Sequence, residues 1–447
     1  MGVIERSFSR WTPTQILIAT FALLILVGSF LLSLPFASRS EPLSYLDAVF
    51  TATSAVCVTG LIVVDTFTQF TFFGQLVIII LIQLGGLGLM TMTTMMAIFL
   101  GRKISIRSRM LMQETLNQFS LGGILRLTLA VGAVTLFFEG LGAIVLTLRF
   151  LPEYGLPTAI WYGVFHSISA FCNAGFDLIG QFRGLTPYVS DWVTNLVITT
   201  LIIMGGLGFS VIADLFNHRR GFNFSKLSLH TRIVLVMTAF LLISGTILLL
   251  AFEWNGVLAG MSGSDKVLGA YFQSVTTRTA GFNTLALGRM RDASIFLMIV
   301  LMFIGASPGS TGGGIKTATF ATLVLMVVAT VRGREDARIF GRQIPRDIVL
   351  RAMTIVAIAF ALVIGVTMLL SLTEQQPFLT VLFETVSAFA TVGLSLGMTT
   401  QLTSIGRLVI SFTMFAGRVG PMSLALAVAH ARNNAAVRYP EDKVIVG

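Results

Sequence analysis

The chain has 447 residues and a formal net charge of +10, with 55% hydrophobic and only 11% charged residues. Soluble domains carry about 25% charged residues, so the composition excludes a water-soluble protein of this length. Several segments stay apolar for about 20 residues, which is the length that spans a bilayer. With only two cysteines, the chain lacks the cysteine pattern of a disulfide scaffold or a zinc site. The sequence therefore predicts a multi-pass membrane protein.

The positive charge is concentrated in a few stretches rather than spread along the chain. Lys and Arg cluster at the N-terminus, in three loops between apolar segments (101–126, 219–232 and 332–351) and in the tail after residue 431. This asymmetry follows the positive-inside rule, which predicts that both termini are cytoplasmic. The alternative is a nucleic-acid-binding surface, but no basic–aromatic stretch supports it, so no nucleic-acid partner is expected.

The apolar segments follow the same order four times. A long helix comes first, then an apolar stretch too short to span, which predicts a re-entrant segment, and then a second long helix. The first helices are predicted at 15–36, 126–149, 231–252 and 349–372, the short stretches at 45–56, 161–171, 268–276 and 378–389, and the second helices at 71–100, 189–216, 292–331 and 405–431.

A fixed-period repeat of this kind determines the fold class. The sequence predicts an all-α integral membrane fold of four helix–pore-loop–helix repeats. Eight transmembrane helices and four re-entrant pore helices would surround one central pore. The predicted boundaries are 1–116 for repeat one, 117–225 for repeat two, 226–342 for repeat three, and 343–447 for repeat four with the C-terminal tail. Repeat three contains the segment 305–316, to which the resemblance given below assigns an intramembrane gating loop.

One glycine, here called the joint glycine, occupies the same place after each short stretch. Glycine tolerates φ > 0, so consecutive carbonyl groups can face one side, and four such loops would form a carbonyl ring that replaces the water shell of K⁺ or Na⁺. The aligned positions hold no carboxylate, which argues against a divalent-selective pore. The predicted filter residues, with K⁺ at the four joint glycines, are Val58, Thr59, Gly60, Asn173, Ala174, Gly175, Thr279, Ala280, Gly281, Thr391, Val392 and Gly393.

A purely structural interpretation competes with the filter. In it, the joint glycines only allow helices to pack closely, as small residues do in membranes. Cys57 and Cys172 each lie three residues before a joint glycine, which fits either a metal or redox pair or two small buried packing residues.

A second glycine motif recurs in the second helices. Gly85-Gly86-Leu87-Gly88 matches Gly205-Gly206-Leu207-Gly208, and repeat three holds five glycines and a proline over 305–314 at this place. No continuous helix tolerates that content. Lys316 and Arg418 are cations at membrane depth, where charged residues are usually functional. The resemblance given below implies a gate here, with the residues Gly305, Ala306, Ser307, Pro308, Gly309, Ser310, Thr311, Gly312, Gly313, Gly314, Lys316 and Arg418.

Arg418 occupies the matching slot of repeat four and has three interpretations. It repels a passing cation, holds the interrupted helix closed, or only satisfies carbonyl groups of that helix. Among these, the first two predict the same effect of its removal, namely a faster flux of the ion.

Enzymatic interpretations of the glycine-rich run fail on chemistry. Ser307 has the spacing of a nucleophile elbow, but Pro308 lacks the N–H that an oxyanion hole needs. A phosphate loop requires Gly directly before Lys, and Ile315 separates Gly314 from Lys316. The sequence therefore predicts that the protein is not an enzyme and binds no nucleotide itself. A rocking secondary transporter with a site at the midplane remains an alternative to a pore.

These motifs resemble the Trk/Ktr/HKT superfamily of potassium transporters, and within it the membrane subunit of bacterial Ktr uptake systems. The resemblance covers almost the whole chain, and 278–283, 305–316 and 417–421 are its most specific pieces. It implies a K⁺-translocating subunit of the bacterial cell membrane, homodimeric in membrane lipid, with a pore in each protomer and a gating loop below the filter. It also implies a cytosolic ring of nucleotide-binding RCK subunits, and leaves Na⁺ dependence open.

Overall fold

The computed structural model describes residues 13–88, 124–218, 223–334 and 336–420. Several sequence predictions fall outside these ranges. They concern the N-terminal basic stretch, most of the loop at 101–126, residues 219–222 of the second loop, the ends of the second helices predicted to reach residues 100 and 431, and the C-terminal tail.

The described residues form fifteen α-helices, which fall into four groups in the order that the sequence predicts. Repeat one contains α1 (Pro13–Leu32), α2 (Tyr45–Val56), α3 (Thr66–Gln69) and α4 (Phe72–Leu87), and repeat two contains α5 (Ile124–Tyr154), α6 (Leu156–Phe171), α7 (Trp192–Gly206) and α8 (Phe209–Asn217). Repeat three contains α9 (Leu229–Glu253), α10 (Gly263–Thr276), α11 (Asp292–Phe303) and α12 (Thr317–Val331), and repeat four contains α13 (Arg346–Thr373), α14 (Phe378–Phe389) and α15 (Ser404–Val419). A two-stranded hairpin, β1 (Arg338–Ile339) and β2 (Arg342–Gln343), joins α12 to α13.

The first helix of each repeat is the one built to cross a membrane. Among the described residues, four single helices are long and apolar enough to span, and they are α1, α5, α9 and α13. The helices that follow them, α2, α6, α10 and α14, have 12 to 16 residues, or roughly 18–24 Å at 1.5 Å per residue, less than a bilayer core. Serine side chains fix the start of two of them, since Ser44 caps α2 and Ser262 caps α10.

The second helices are broken at one recurrent glycine, which corrects the prediction of continuous helices at 71–100, 189–216 and 405–431. Gly88, Gly208 and Gly420 have φ of 80°, 93° and 95°, and each comes one or two residues after a helix ends. A left-handed residue cannot continue a right-handed helix, so α8 leaves α7 at an angle of 95°. In repeat three α11 ends at Phe303 and Gly309 has φ 65°. Among the described residues, α7 and α8 form a bent pair that would make a fifth span if counted as one.

The repeats pack in a closed circle. Each second helix contacts the pore helix of the following repeat, as α4 does with α6, α7 with α10, α11 with α14 and α15 with α2. At the last of these contacts the Arg407 Nη1 lies 2.5 Å from the Asp47 Oδ1. Repeat four thereby returns to repeat one, and the four short helices belong to one closed circle of contacts.

The first glycine of each second-helix motif permits the close packing of helices within a repeat. A Cβ atom at this position would lie closer than 3.0 Å to the carbonyl of the last pore-helix residue. The contacts concern Gly85 with Val56, Gly205 with Phe171, and Gly417 with Phe389. In repeat three Gly305 instead faces the backbone of Gly313, because the glycine-rich loop (residues 305–316) folds back into this space.

Candidate ion pathway

The four joint glycines adopt the same unusual backbone conformation. Gly60, Gly175, Gly281 and Gly393 have φ of 91°, 72°, 79° and 92°. The residue two positions before each is also left-handed although it is not glycine, with φ of 57° at Val58, 59° at Asn173, 73° at Thr279 and 52° at Thr391. Such residues cost about 1–3 kcal/mol each and persist where the surroundings enforce them. The residue between each such pair is not left-handed, and an alternation of this kind allows successive carbonyl groups to face one side.

The joint glycines meet each other around a closed ring. A Cβ atom added to any of them would lie closer than 3.0 Å to a backbone carbonyl of the next repeat. The order of these contacts is Gly60 to Ala174, Gly175 to Ala280, Gly281 to Val392, and Gly393 to Thr59. The ring therefore brings all four predicted filter loops together, and its glycines are required by the approach of backbone to backbone.

Hydroxyl groups on the pore helices hold the loops in place. In repeats one and four the joint-glycine N–H donates to a serine hydroxyl, at 3.0 Å from Gly60 to Ser54 and 3.1 Å from Gly393 to Ser387. Repeats two and three reverse the direction, since the hydroxyl donates to the carbonyl after the joint glycine. These bonds run from Ser169 to Phe176 at 2.7 Å and from Thr276 to Phe282 at 2.6 Å.

The residues after the joint glycines alternate between core and surface. Leu61, Phe176, Phe282 and Leu394 are each 1% exposed and anchor the loops. The next residue is half-buried in every repeat, and only Asp177 of repeat two is charged there. Desolvation raises the pKa of the Asp177 carboxyl to about 6, against the lowering effect of a backbone N–H from Ile179, and the Asp65 carboxylate adds to the rise.

The glycine-rich loop crosses beneath the ring and is bonded to the broken second helix of repeat two. Two of its N–H groups donate to carbonyls at the end of α7, from Ser307 to Gly206 at 3.0 Å and from Thr311 to Gly205 at 3.2 Å. Its Gly309 carbonyl accepts the Phe209 N–H at 2.9 Å. The break at Gly208 thus exposes the backbone groups to which the loop binds.

Arg418 links this loop to repeat one. Its guanidinium donates to the Thr311 carbonyl of the loop, and to the carbonyls of Gly85 and Gly86 at 2.5 and 3.0 Å. The same slot holds Gly86, Gly206 and Ala306 in the other repeats. Three repeats therefore have a glycine or alanine at this position, and only repeat four has a long side chain there.

The second intramembrane cation of the predicted gate also contacts the loop. Lys316 Nζ donates to the Gly312 carbonyl at 2.6 Å. Gly312 and Gly313 in turn lie against the Thr279 and Thr391 side chains of the filter loops. The loop therefore touches the underside of the ring directly.

Comparison with known proteins gives the chain its family. Residues 6–437 match the TrkH family, described as cation transport proteins. The chain belongs to this family.

Known proteins are similar to this chain over nearly its whole length. The chain is 43% identical to Ktr system potassium uptake protein B of Bacillus subtilis, over 98% of the chain and 97% of the relative. It is 40% identical to potassium/sodium uptake protein NtpJ of Enterococcus hirae, over 99% of each. The crystal structure of the potassium transporter TrkH from Vibrio parahaemolyticus is similar in fold, with a TM-score of 0.73, 18% identity, and coverage of 94% of this chain and 86% of that one.

Membership of the TrkH family makes the protein a multi-pass membrane transporter and not an enzyme. The chemistry around Ser307 agrees with this, because its buried hydroxyl accepts a hydrogen bond from Thr317 at 3.1 Å. Cys57 and Cys172 are both buried free thiols. Among the described residues no cluster of three His, Cys, Asp or Glu side chains exists to hold a metal ion.

Several residues of the site were missed by sequence reasoning. The four hydroxyls on the short helices lie six or seven residues from the atoms they bind, and serine and threonine are too common for this spacing to identify them. The breaks at Gly88, Gly208 and Gly420 had a visible signal in the recurrent Gly-x-x-Gly, but the sequence analysis assigned an interruption to repeat three alone.

Proposed function

We propose that this protein is the potassium-translocating pore subunit of a Ktr-type uptake system. Ions pass singly through the ring of joint glycines, where carbonyl groups of all four repeats replace the hydration shell. The observation that carries the proposal is the closed ring itself, in which the same two left-handed residues recur four times. The names of the curated relatives support K⁺ as the ion.

The predicted filter and gate residues have distinct roles in this proposal. Residues from Val58 to Gly60 and their equivalents in the other repeats bind K⁺. The glycine-rich loop, with Lys316 and Arg418, closes the path below. The bonds from Arg418 to this loop support a restraining role, and the arginine charge beside the path supports a barrier to the ion.

The surroundings of the pore follow from the same family argument. We place both termini in the cytoplasm of a bacterial cell and expect a homodimer with one pore per protomer. A separate ring of RCK subunits supplies nucleotide control, because this chain contains no dinucleotide-binding motif. Na⁺ is a second candidate ion, and one relative is named a potassium/sodium uptake protein.

Ion flux in liposomes tests the proposal. Purified protein should pass K⁺ faster than a whole-protein transport cycle allows, with a lower Na⁺ rate, and an added RCK partner with nucleotide should change that rate. A slow rate that saturates at one ion per conformational cycle would favour the rocking transporter. Tight ATP binding by the isolated chain would contradict the separate control subunit.

A further inference from the structure

An apolar cleft of about 340 Å³ lies between α12 and α13. All nine of its lining residues are hydrophobic, and the valines of α12 among them are partly exposed, with 39% of Val324, 61% of Val327 and 40% of Val328 accessible. The cleft is therefore open on the outer surface of the helical assembly rather than sealed inside it.

The inner wall of the cleft consists of the two ends of the glycine-rich loop. Ile304 and Ile315 both line it, and their backbones pair as an isolated parallel bridge. These residues flank the run at 305–314, so a molecule in the cleft presses on the base of the loop. Neither the filter ring nor Arg418 forms part of this wall.

A basic segment, here called the rim, follows α12 directly and leads into α13, the two helices that line the cleft. The segment 332–351 contains six arginines against three acidic residues, a net charge of +3. The arginines are all exposed, and they are Arg332, Arg334, Arg338, Arg342, Arg346 and Arg351. Arg332 follows Val328 by four residues, which is about 6 Å along a helix at 1.5 Å per residue. Arg351 precedes Val356, on the opposite wall, by about 8 Å on the same basis.

We propose that this cleft binds an anionic phospholipid. One acyl chain fills the apolar space, and the phosphate lies against the arginines of the rim, as basic pockets between membrane helices hold anionic headgroups. An apolar cavity of this kind is not occupied by water. A peptide segment is a poor occupant because the lining offers its backbone no hydrogen-bond partner. The bound chain supports the base of the glycine-rich loop, so the lipid favours one position of that loop.

Lipid retention by the full-length protein tests the site without reference to transport. Native mass spectrometry in detergent would compare phosphatidylglycerol with phosphatidylcholine of the same chains. Val324→Trp fills the cleft, and Val236→Trp, on the exposed face of α9, is its matched control. Arg332→Gln with Arg351→Gln removes two rim charges, and Arg183→Gln with Arg289→Gln removes two exposed charges elsewhere.

We expect preferential retention of phosphatidylglycerol by the wild type and by both controls. Val324→Trp should lose one tightly held lipid. The rim double variant should lose roughly 30-fold in phosphatidylglycerol affinity, which corresponds to about 1 kcal/mol for each arginine. Equal retention in Val324→Trp and Val236→Trp would overturn the proposal. Dissociation of a dimer by Val324→Trp would also overturn it, because a second copy would then be the occupant.

The effect on the loop rests on the proposed function and needs a flux measurement. K⁺ flux in phosphatidylcholine liposomes should change as phosphatidylglycerol is added, and this response should be absent in Val324→Trp. A wild type that retains the lipid but carries no K⁺ would contradict the proposed function and leave the site intact. A wild type whose flux ignores the lipid would remove the coupling to the loop.

Discussion

The joint glycines differ in how closely the neighbouring loop approaches them. A Cβ at Gly175 would lie 2.8 Å from the Ala280 carbonyl oxygen, and one at Gly281 would lie 2.6 Å from that of Val392. The approach is closer still at Gly60 and Gly393. A side chain at any of them also adopts left-handed φ, at a cost of roughly 1–2 kcal/mol.

This gradient predicts an order of damage among alanine variants. All four should weaken K⁺ affinity or selectivity, with Gly175→Ala the mildest and Gly393→Ala among the most severe. Rubidium uptake and K⁺/Na⁺ competition in a strain without other K⁺ systems would measure this. Gly140→Ala is the control, since a Cβ there meets nothing within 4 Å. Unchanged uptake in all four variants would contradict the proposed filter.

Asp177 predicts a pH dependence at the entrance to the ring. Its carboxyl, with a pKa near 6 instead of 3.8, is mostly ionised at pH 7.5 and mostly neutral at pH 5. We expect the apparent K⁺ affinity to fall as external pH drops through 6, because a negative charge beside the entrance is lost. Asp177→Asn should show the low-pH affinity at every pH. If the variant keeps the wild-type pH profile, another group is responsible.

At the scale of elements, the repeat order and the joint glycines could be predicted from the sequence because both are periodic. Four glycines that recur after short apolar stretches indicate a bend whatever the side-chain detail. The left-handed Val58 and Thr391 could not be predicted, because a β-branched residue disfavours this conformation. The end of the preceding helix stabilises it, since the N–H groups of Thr59 and Val392 donate to the Ser54 and Ser387 carbonyls. The bonds between the glycine-rich loop and the end of α7 join residues about a hundred positions apart, and no local pattern contains such a contact.

The contacts between Arg418 and the glycine-rich loop predict what happens when the guanidinium is removed. Arg418→Gln loses the guanidinium bonds to Thr311, Gly85 and Gly86, and it removes a positive charge near the path. At about 10 Å and an effective dielectric of about 20, that charge opposes K⁺ by roughly 1.7 kcal/mol, or about 17-fold. The maximum K⁺ uptake rate should therefore rise, with little change in the affinity of the filter.

Flux with and without an RCK partner would measure this, with Arg289→Gln as a control at an exposed arginine. The variant should leave more flux in the absence of the partner. A variant that folds and inserts normally but carries less K⁺ than the wild type would mean that Arg418 supports the open path.

At the scale of the whole molecule, the circle of repeats is closed by a contact between the first and the last. The Asp47–Arg407 ion pair joins α2 to α15, and its side chains are only 16% and 25% exposed. A comparable pair, Arg149 with Asp191 at 2.7 Å, lies entirely within repeat two. Variants of the two ion pairs can therefore distinguish the stability of a single repeat from the closure of the circle.

Asp47→Asn should therefore lower both the thermal stability and the K⁺/Na⁺ selectivity, because repeat four loosens from repeat one. Arg149→Gln should lower thermal stability alone. Loss of heat-resistant protein after detergent extraction and competition flux would measure the two effects. In a double-variant cycle, Asp47→Asn with Arg407→Gln should be no worse than either change alone. If K⁺/Na⁺ selectivity falls equally in Asp47→Asn and in Arg149→Gln, closure of the circle has no special role in selectivity.

The hydroxyl hydrogen bonds of the short helices run in opposite directions in different repeats, and this bears on how mutations can change the ring. A ring of four identical subunits must accept every substitution four times, so its loops can only change together. Here each quarter has its own codons, and one mutation alters one quarter of the ring. The hydroxyls of Ser54 and Ser387 accept a hydrogen bond whereas those of Ser169 and Thr276 donate one, so the four quarters differ in pairs. Because all four repeats are encoded in one chain, an ion ring of this kind can be changed by one side chain at a time.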